Sequence, residues 1–259
     1  MIKAEKLSFN LGCKKLVDQV DLEIRPGELL AVVGPNGAGK SSLLKVLTGE
    51  HEHQQGTISI NNKNMRHYKR DELARTRSVV NQHTEVSFPF SLRNIIAMGR
   101  HPHRSNQDVD NQVIDEAMRM AEVREFTDRI FNTLSGGEQQ RGQMARAIAQ
   151  ILPIGSDSKR YILLDEPISN MDLSHQHGTL NYLKKLTEQQ VGVLIVIHDL
   201  NLASLYADRI AVMHKAKLKL VGTPSEIITT ELLENVFRLK ADISVHPKYE
   251  CPMISPIIH

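Results

Sequence analysis

Leu29-Leu30-Ala31-Val32-Val33-Gly34-Pro35-Asn36-Gly37-Ala38-Gly39-Lys40-Ser41-Ser42 is the stretch around which the chain is organised. Five apolar residues run into a glycine-punctuated loop, and Leu43, Leu44, Val46 and Leu47 then recur at helical spacing, so the order is strand, loop, helix. Gly34, Gly39, Lys40 and Ser41 occupy the fixed positions of G-x-x-x-x-G-K-[ST], between the flanks that this pattern needs. A triphosphate carries several negative charges that must be met at close range. Gly37 and Gly39 let backbone N–H groups turn toward phosphate oxygens as a nest. Lys40 adds a cation, the N-terminus of the following helix adds partial positive charge, and the Ser41 hydroxyl can ligate Mg²⁺. Gly34–Ser42 therefore reads as a nucleoside triphosphate loop.

The rest of the composition sets bounds. A chain of 259 residues holds one large α/β domain or two small ones. With 32 Lys+Arg against 30 Asp+Glu the formal charge is +2, which gives no electrostatic case for a nucleic-acid partner. The longest apolar runs, Leu29–Val33 and Val193–Ile197, fall far short of the roughly 18 residues of a membrane span, so a soluble chain is expected. Met1–Glu5 opens directly into strand-like alternation with no apolar leader, which predicts a cytosolic location. Cys13 and Cys251, the two cysteines, lie almost a chain apart and suit a reducing compartment.

In chain order, Leu7, Phe9 and Leu11, then Val20, Leu22 and Ile24, alternate with polar residues and predict early antiparallel strands, joined by Ile58 and Ile60. Phe9 and Leu11 share a face if the first strand is regular. A short helix near Asp71–Arg75 precedes strand Val79-Val80. From about residue 88 the period changes to three and four, through Leu92, Ile95, Ile96, Val113, Ile114, Ala117 and Met118, which predicts a helical insertion to about residue 150. After a polar break at Gly155–Ser158, Ile162–Leu164 and Val193–Ile197 read as buried strands, and strands separated by helices mean a parallel sheet. Ile210–Met213 and Leu218–Val221 predict a last strand pair. Thr223-Pro224-Ser225-Glu226 supplies an N-cap, a proline at N1 and a glutamate at N3 for a terminal helix. Residues 241–259 carry no assignable pattern.

Two further constellations carry chemistry. Leu134-Ser135-Gly136-Gly137-Glu138-Gln139-Gln140-Arg141 opens a helix on a serine and two glycines, a second anion site. A capped helix start with Ser135 and Glu138 accounts for part of it, but not for the second glycine. Tyr161–Leu164 then ends in Asp165-Glu166-Pro167, carboxylates at the carboxyl end of a buried parallel strand, where α/β sheets bind ligands. Asp165 would hold Mg²⁺ together with Ser41, and Glu166 would face the γ-phosphate as general base.

With the phosphate loop, the Leu134–Arg141 signature and the Asp165-Glu166 pair in place, the chain resembles the ATPase subunits of ATP-binding cassette (ABC) transporters over most of its length. The resemblance implies an α/β P-loop NTPase fold with a mostly parallel core sheet, an antiparallel β subdomain and an inserted helical subdomain near 88–150, all in one nucleotide-binding domain spanning 1–259. It implies that Gln82 senses Mg²⁺ and the γ-phosphate, that His198 is the γ-phosphate switch, and that Asp172 of Ser169–Asp172 crosses a dimer interface. In a head-to-tail homodimer each ATP would lie between Lys40 of one copy and Ser135, Gly136 and Gly137 of the other. The ring-stacking position of the family falls on Leu11, so adenine would be held by apolar contact, and the hairpin Lys215-Ala216-Lys217 lacks the glycine common there.

Phe88–Leu92 and Met98–His103 resemble importers of metal chelates, and the Pro153–Lys159 loop resembles their heme-uptake subgroup; heme is favoured, a ferric siderophore or vitamin B12 second. The branch implies two transmembrane permease subunits, a periplasmic substrate-binding protein and a peripheral place on the cytoplasmic face of the inner membrane. A non-transport role such as iron–sulfur assembly is the alternative. His51/His53, His101/His103 and His175/His177, from a total of 12 histidines, read as ordinary solvated side chains, because so short a pattern recurs by chance, and His175 and His177 would point about 200° apart on a helix that continues through them.

Overall fold

The computed structural model describes residues 1–82, 86–153 and 159–257; the expected break at Gly155–Ser158 and most of the Pro153–Lys159 loop lie outside the described residues. The chain opens with antiparallel β1 (Ile2–Leu11) and β2 (Lys14–Ile24), crosses to β3 (Leu29–Val33), passes through the phosphate loop into α1 (Lys40–Leu47), and returns as β4 (Gln55–Ile60) and β5 (Lys63–Asn64). A four-stranded layer of order β2-β1-β4-β5 results. Next come α2 (Arg70–Thr76) and β6 (Arg77–Val80), then the helices α3 (Leu92–Ala97), α4 (Gln107–Met120) and α5 (Gly136–Ile151). The remaining alternation is β7 (Arg160–Asp165), α6 (Leu173–Glu188), β8 (Val191–Val196), α7 (Leu200–Tyr206), β9 (Arg209–His214) and β10 (Lys217–Gly222).

The core sheet has the order β10-β9-β3-β8-β7-β6, parallel throughout except for antiparallel β10 at its edge. Its central strands are apolar at every position because both faces are covered. Leu29, Ala31 and Val33 of β3 face the helical side, together with Ile162, Leu164, Val193 and Ile195. Leu30 and Val32 face the antiparallel layer and α1, together with Tyr161, Leu163, Leu194 and Val196. Period-two alternation thus splits one apolar strand between two cores. β3 lies inside the sheet with the phosphate loop at its carboxyl end, as do β7 with Asp165 and β8 with the segment leading to His198.

The helical insertion is not a free body. α5 reaches back to β6 of the core sheet and to α2: Arg146 donates to the Val79 carbonyl at 3.3 Å, and Gln150 donates to the carbonyls of Arg77 at 3.1 Å and of Ala74 in α2 at 2.7 Å. At its C-terminal end, where carbonyls lack helical partners, Arg100 donates to Ala149 at 2.8 Å and to Leu152, Arg160 donates to Ile151, and His103 meets Gln150 at 2.7 Å.

Three expectations change. Phe9 and Leu11 do not share an environment: β1 carries register shifts between Leu7 and Phe9 and between Phe9 and Asn10, which turn Phe9 into the core and onto the His51 ring at 4.8 Å, while Leu11 is 65% exposed. The helix begun at Thr223 is one turn, α8 (Pro224–Ile227), although its capping box forms as expected. A second short helix, α9 (Thr230–Leu232), follows and runs into a π-turn over Leu233–Phe237. The unassigned end forms a hairpin, β11 (Ala241–Val245) and β12 (Pro252–Pro256), which Asn201 and Ser204 of α7 bind through the carbonyls of Ile254 at 3.1 Å and Pro252 at 2.6 Å.

Candidate active site

The phosphate loop is shaped by its neighbours as much as by its glycines. Gly34 (φ +152°) lies where a Cβ would run into the Met213 carbonyl oxygen of β9, and Gly39 (φ +101°) where one would meet the Leu16 carbonyl oxygen of β2. Gly37 differs: its Cβ would meet nothing within 4 Å, so only its φ of +75° calls for glycine. Gly39 ends the loop as the N-cap of α1 without a side-chain cap, and the first N–H groups of α1, from Lys40, Ser41 and Ser42, have no intrahelical acceptor. The Lys40 ammonium, in a 5% exposed residue, donates to the Gly34 carbonyl at 2.8 Å and the Pro35 carbonyl at 3.2 Å. Burial lowers its pKa, and Glu166 and Asp165 oppose that shift.

Opposite the loop, the ends of four parallel strands bring together residues far apart in sequence. Ser41 donates to Asp165 Oδ1 at 3.1 Å. Gln82 Nε2 donates to Glu166 Oε2 at 2.9 Å, and His198 Nε2 lies 2.5 Å from Glu166 Oε1. Both oxygens of Glu166 are thus held, by a side chain following β6 and one following β8. Glu166 itself has φ 48°, a left-handed conformation that costs energy for a non-glycine residue. Sequence reading missed this strain, since Asp-Glu-Pro carries no left-handed signal.

Asp165 is 3% exposed, and burial pushes its carboxyl above the usual carboxylate range; the Ser41 hydroxyl opposes the shift and Glu166 adds to it. A buried carboxylate beside a hydroxyl, with no cation bonded to it among the described residues, fits a hard divalent ion with oxygen ligands, whose charge would favour the ionised form.

The signature and Asp172 stand apart from this cluster. Ser135 caps α5, accepting from Glu138 N–H at 3.4 Å while Glu138 accepts from Ser135 N–H at 2.6 Å. The glycine that capping leaves unexplained has a reason here: a Cβ on Gly137 would sit 3.1 Å from the Asn170 carbonyl oxygen, so the second glycine admits the Ser169–Asp172 segment. Gly136 is looser, its nearest neighbour being the Asn170 Cβ at 3.9 Å. Asp172 caps α6 through the His175 N–H at 2.9 Å and meets the His175 ring at the same distance. Among the described residues no hydrogen bond ties Ser135, Gly136, Gly137 or Asp172 to the phosphate loop. His177, two residues from His175, instead meets the Tyr206 hydroxyl at 2.7 Å, so the two rings of this H-x-H pair point to different partners.

Residues 17–169 match the ABC transporter family. The chain belongs to that family. It is 43% identical over 259 residues to a hemin import ATP-binding protein HmuV of Gloeobacter violaceus, covering 99% of this chain and 94% of the relative. It is 38% identical to the protein of the same name from Mesorhizobium japonicum, covering 99% and 98%. Among solved structures it resembles a chain described as part of a metal-chelate type ABC transporter in an inward-facing conformation, with a TM-score of 0.80 at 29% identity and coverage of 99% and 97%. A dimeric bacterial ABC transporter cassette gives 0.75 at 27% identity, covering 86% and 98%. As an ABC ATPase this chain binds and hydrolyses ATP for transport, and its α/β fold, with a parallel core and an antiparallel layer, is the one its motifs imply. No helix among the described residues is long and apolar enough to cross a membrane.

Proposed function

We propose that this chain energises import of a metal chelate, with heme as the substrate, through partner membrane subunits. The observation that carries the reading is full-length similarity to hemin import ATP-binding proteins, reaching 43% identity across 99% of the chain. The metal-chelate type neighbour favours, as a second reading, another chelate such as a ferric siderophore or vitamin B12. The assembly in this reading is a homodimer of the chain beneath two permease subunits, on the cytoplasmic face of the inner membrane, served by a periplasmic binding protein.

At the site, Lys40 and the N-terminus of α1 bind the phosphates of ATP once Lys40 leaves the Gly34 and Pro35 carbonyls. Ser41, Asp165 and Gln82 would hold Mg²⁺, which supplies charge neutralisation on the phosphates. Glu166, oriented by Gln82 and His198, accepts the proton of the attacking water. Ser135, Gly136 and Gly137 of a second copy close the site over the γ-phosphate, and Asp172 meets the opposing copy, because in one chain these residues stand apart from the loop. The helical region near 88–150 acts as the subdomain that passes closure on to the permeases.

The test is co-purification with the membrane partners, followed by visible absorption with and without added hemin. A Soret band retained by the full complex, with hemin-stimulated hydrolysis of ATP, is expected. Stimulation by a siderophore or B12 but not by hemin would move the assignment to the second reading.

A further inference from the structure

The hairpin between β9 and β10 touches the phosphate loop at three points, none of which the motif itself announces. The Ala216 N–H donates to the Ala38 carbonyl at 3.0 Å. The Gly39 position lies against both Leu16 of β2 and Ala216, whose Cα is 3.5 Å from where a Cβ would stand. The Met213 carbonyl fills the space beside Gly34. The turn is itself built against local preference: Lys215 (φ 48°) and Ala216 (φ 65°) both adopt the left-handed conformation that two-residue hairpins usually assign to Asn and Gly.

A second set of contacts fixes this turn from the other side. Asp18 of β2 donates its N–H to the Ala216 carbonyl at 2.8 Å, so Ala216 links β2 to the loop through both of its backbone groups. The Asp18 carboxylate meets Lys15 at 2.9 Å and Lys217 at 3.4 Å, bridging β2 of the antiparallel layer to β10 of the core sheet. Both lysines hold its carboxyl below the usual range. Lys15 pairs with Asn10, next to Leu11, so the bridge also reaches the end of the β1–β2 hairpin.

We propose that Asp18 and the Lys215–Ala216 turn form a clamp that holds the phosphate loop open for a triphosphate before one arrives, with Asp18 as a positioning residue for ATP binding. The loop lies between two separate sheets, and the clamp is where those sheets are tied together around it. Ordering the loop in advance lowers the cost of ordering it on binding, which acts on nucleotide affinity and leaves the hydrolytic step to Glu166.

The experiment measures ATP affinity by calorimetry and steady-state hydrolysis in the full chain carrying Asp18→Asn, Asp18→Glu, Ala216→Gly or Ala216→Val. Asp18→Asn weakens ATP binding and raises KM together by about two- to fivefold, the size of an exposed ion-pair network, with kcat unchanged. Asp18→Glu restores both. Ala216→Gly keeps wild-type affinity, since glycine holds the turn with both backbone bonds in place, whereas Ala216→Val, a β-branched residue at positive φ, weakens ATP by about tenfold. Circular dichroism establishes that each variant is folded. Wild-type affinity in both Asp18→Asn and Ala216→Val would overturn the clamp. So would a fall in kcat at unchanged affinity, or failure of Asp18→Glu to restore what Asp18→Asn loses. None of these outcomes depends on which chelate is transported.

Discussion

The carboxyl ends of the core strands and the N-terminus of α5 each place a glycine-rich helix start at the surface of the chain, yet they differ in what stands against them. At the first, two hydrogen-bonded sets stand at adjacent residues beside Lys40, Ser41 with Asp165, and Gln82 and His198 with Glu166. At the second, the Ser135 hydroxyl and the Glu138 carboxylate each cap the other residue's backbone N–H, and the glycines lie against the chain's own Asn170. Under the proposed function the first region is the catalytic half, and among the described residues no hydrogen bond ties Ser135, Gly136 or Gly137 of the other half to the phosphate loop. In the proposed homodimer that difference is the reason ATP hydrolysis reports on association.

The comparison breaks most sharply at Glu166. Glu166→Gln keeps the hydrogen-bonding reach toward Gln82 and His198 but removes the basicity, so hydrolysis falls by roughly 10²–10⁴ while ATP binding persists. Size-exclusion chromatography then shows an ATP-dependent shift to twice the monomer mass. Near-normal turnover would move the base to another residue, His198 first.

Gly137→Ala tests the other half. Its methyl group would press on the Asn170 carbonyl at 3.1 Å, displacing the segment that ends in Asp172. Hydrolysis by the assembled protein drops by about tenfold, the effect of roughly 1.4 kcal/mol at a packed contact, while ATP affinity of the dilute, monomeric chain stays at the wild-type value. A parallel loss of monomer affinity would mean that the two regions are one site in a single chain.

Leu11→Tyr sharpens the catalytic half. Leu11 is 65% exposed at the end of β1 and Phe9 is buried against His51, so neither offers adenine an exposed ring. A tyrosine at position 11 tightens ATP by about 1–3 kcal/mol and separates it from GTP, as calorimetry with both nucleotides would reveal. Unchanged affinity would place the base elsewhere.

The smallest effect is on stability. Burial raises the pKa of Asp165 above its value in the unfolded chain, so the folded state holds that proton more tightly. Its contribution is favourable below the ordinary carboxylate range and is lost as pH rises through the raised value. Asp165→Asn, with no charge to desolvate, therefore unfolds at a higher temperature at neutral pH without nucleotide or Mg²⁺, by about 2–4 °C for each kcal/mol. The gap closes on acidification toward pH 4, and MgATP, which the wild type binds better, reverses the order. A variant no more stable than wild type at pH 7 would show that the buried carboxylate carries no penalty.

Residue types and spacing alone determined the phosphate loop, the signature, the Asp165-Glu166 pair, the parallel core and the early antiparallel strands. Each is a local event: a glycine where φ is positive, an apolar run where both faces are covered, a capping serine before a helix. Bulges that bury Phe9 and expose Leu11, and the pairing of β11 with β12, were not legible, because register depends on what packs against a strand. Neither were the left-handed Glu166, Lys215 and Ala216, whose residue types do not ask for that conformation. Tertiary structure alone decided that Gln82 and His198 grip opposite oxygens of one carboxylate, that Asn170 explains Gly137, and that two sheets meet around the phosphate loop at Asp18. Such contacts join residues that are distant in the chain, and only the packing of sheet, layer and helices brings them within bonding distance.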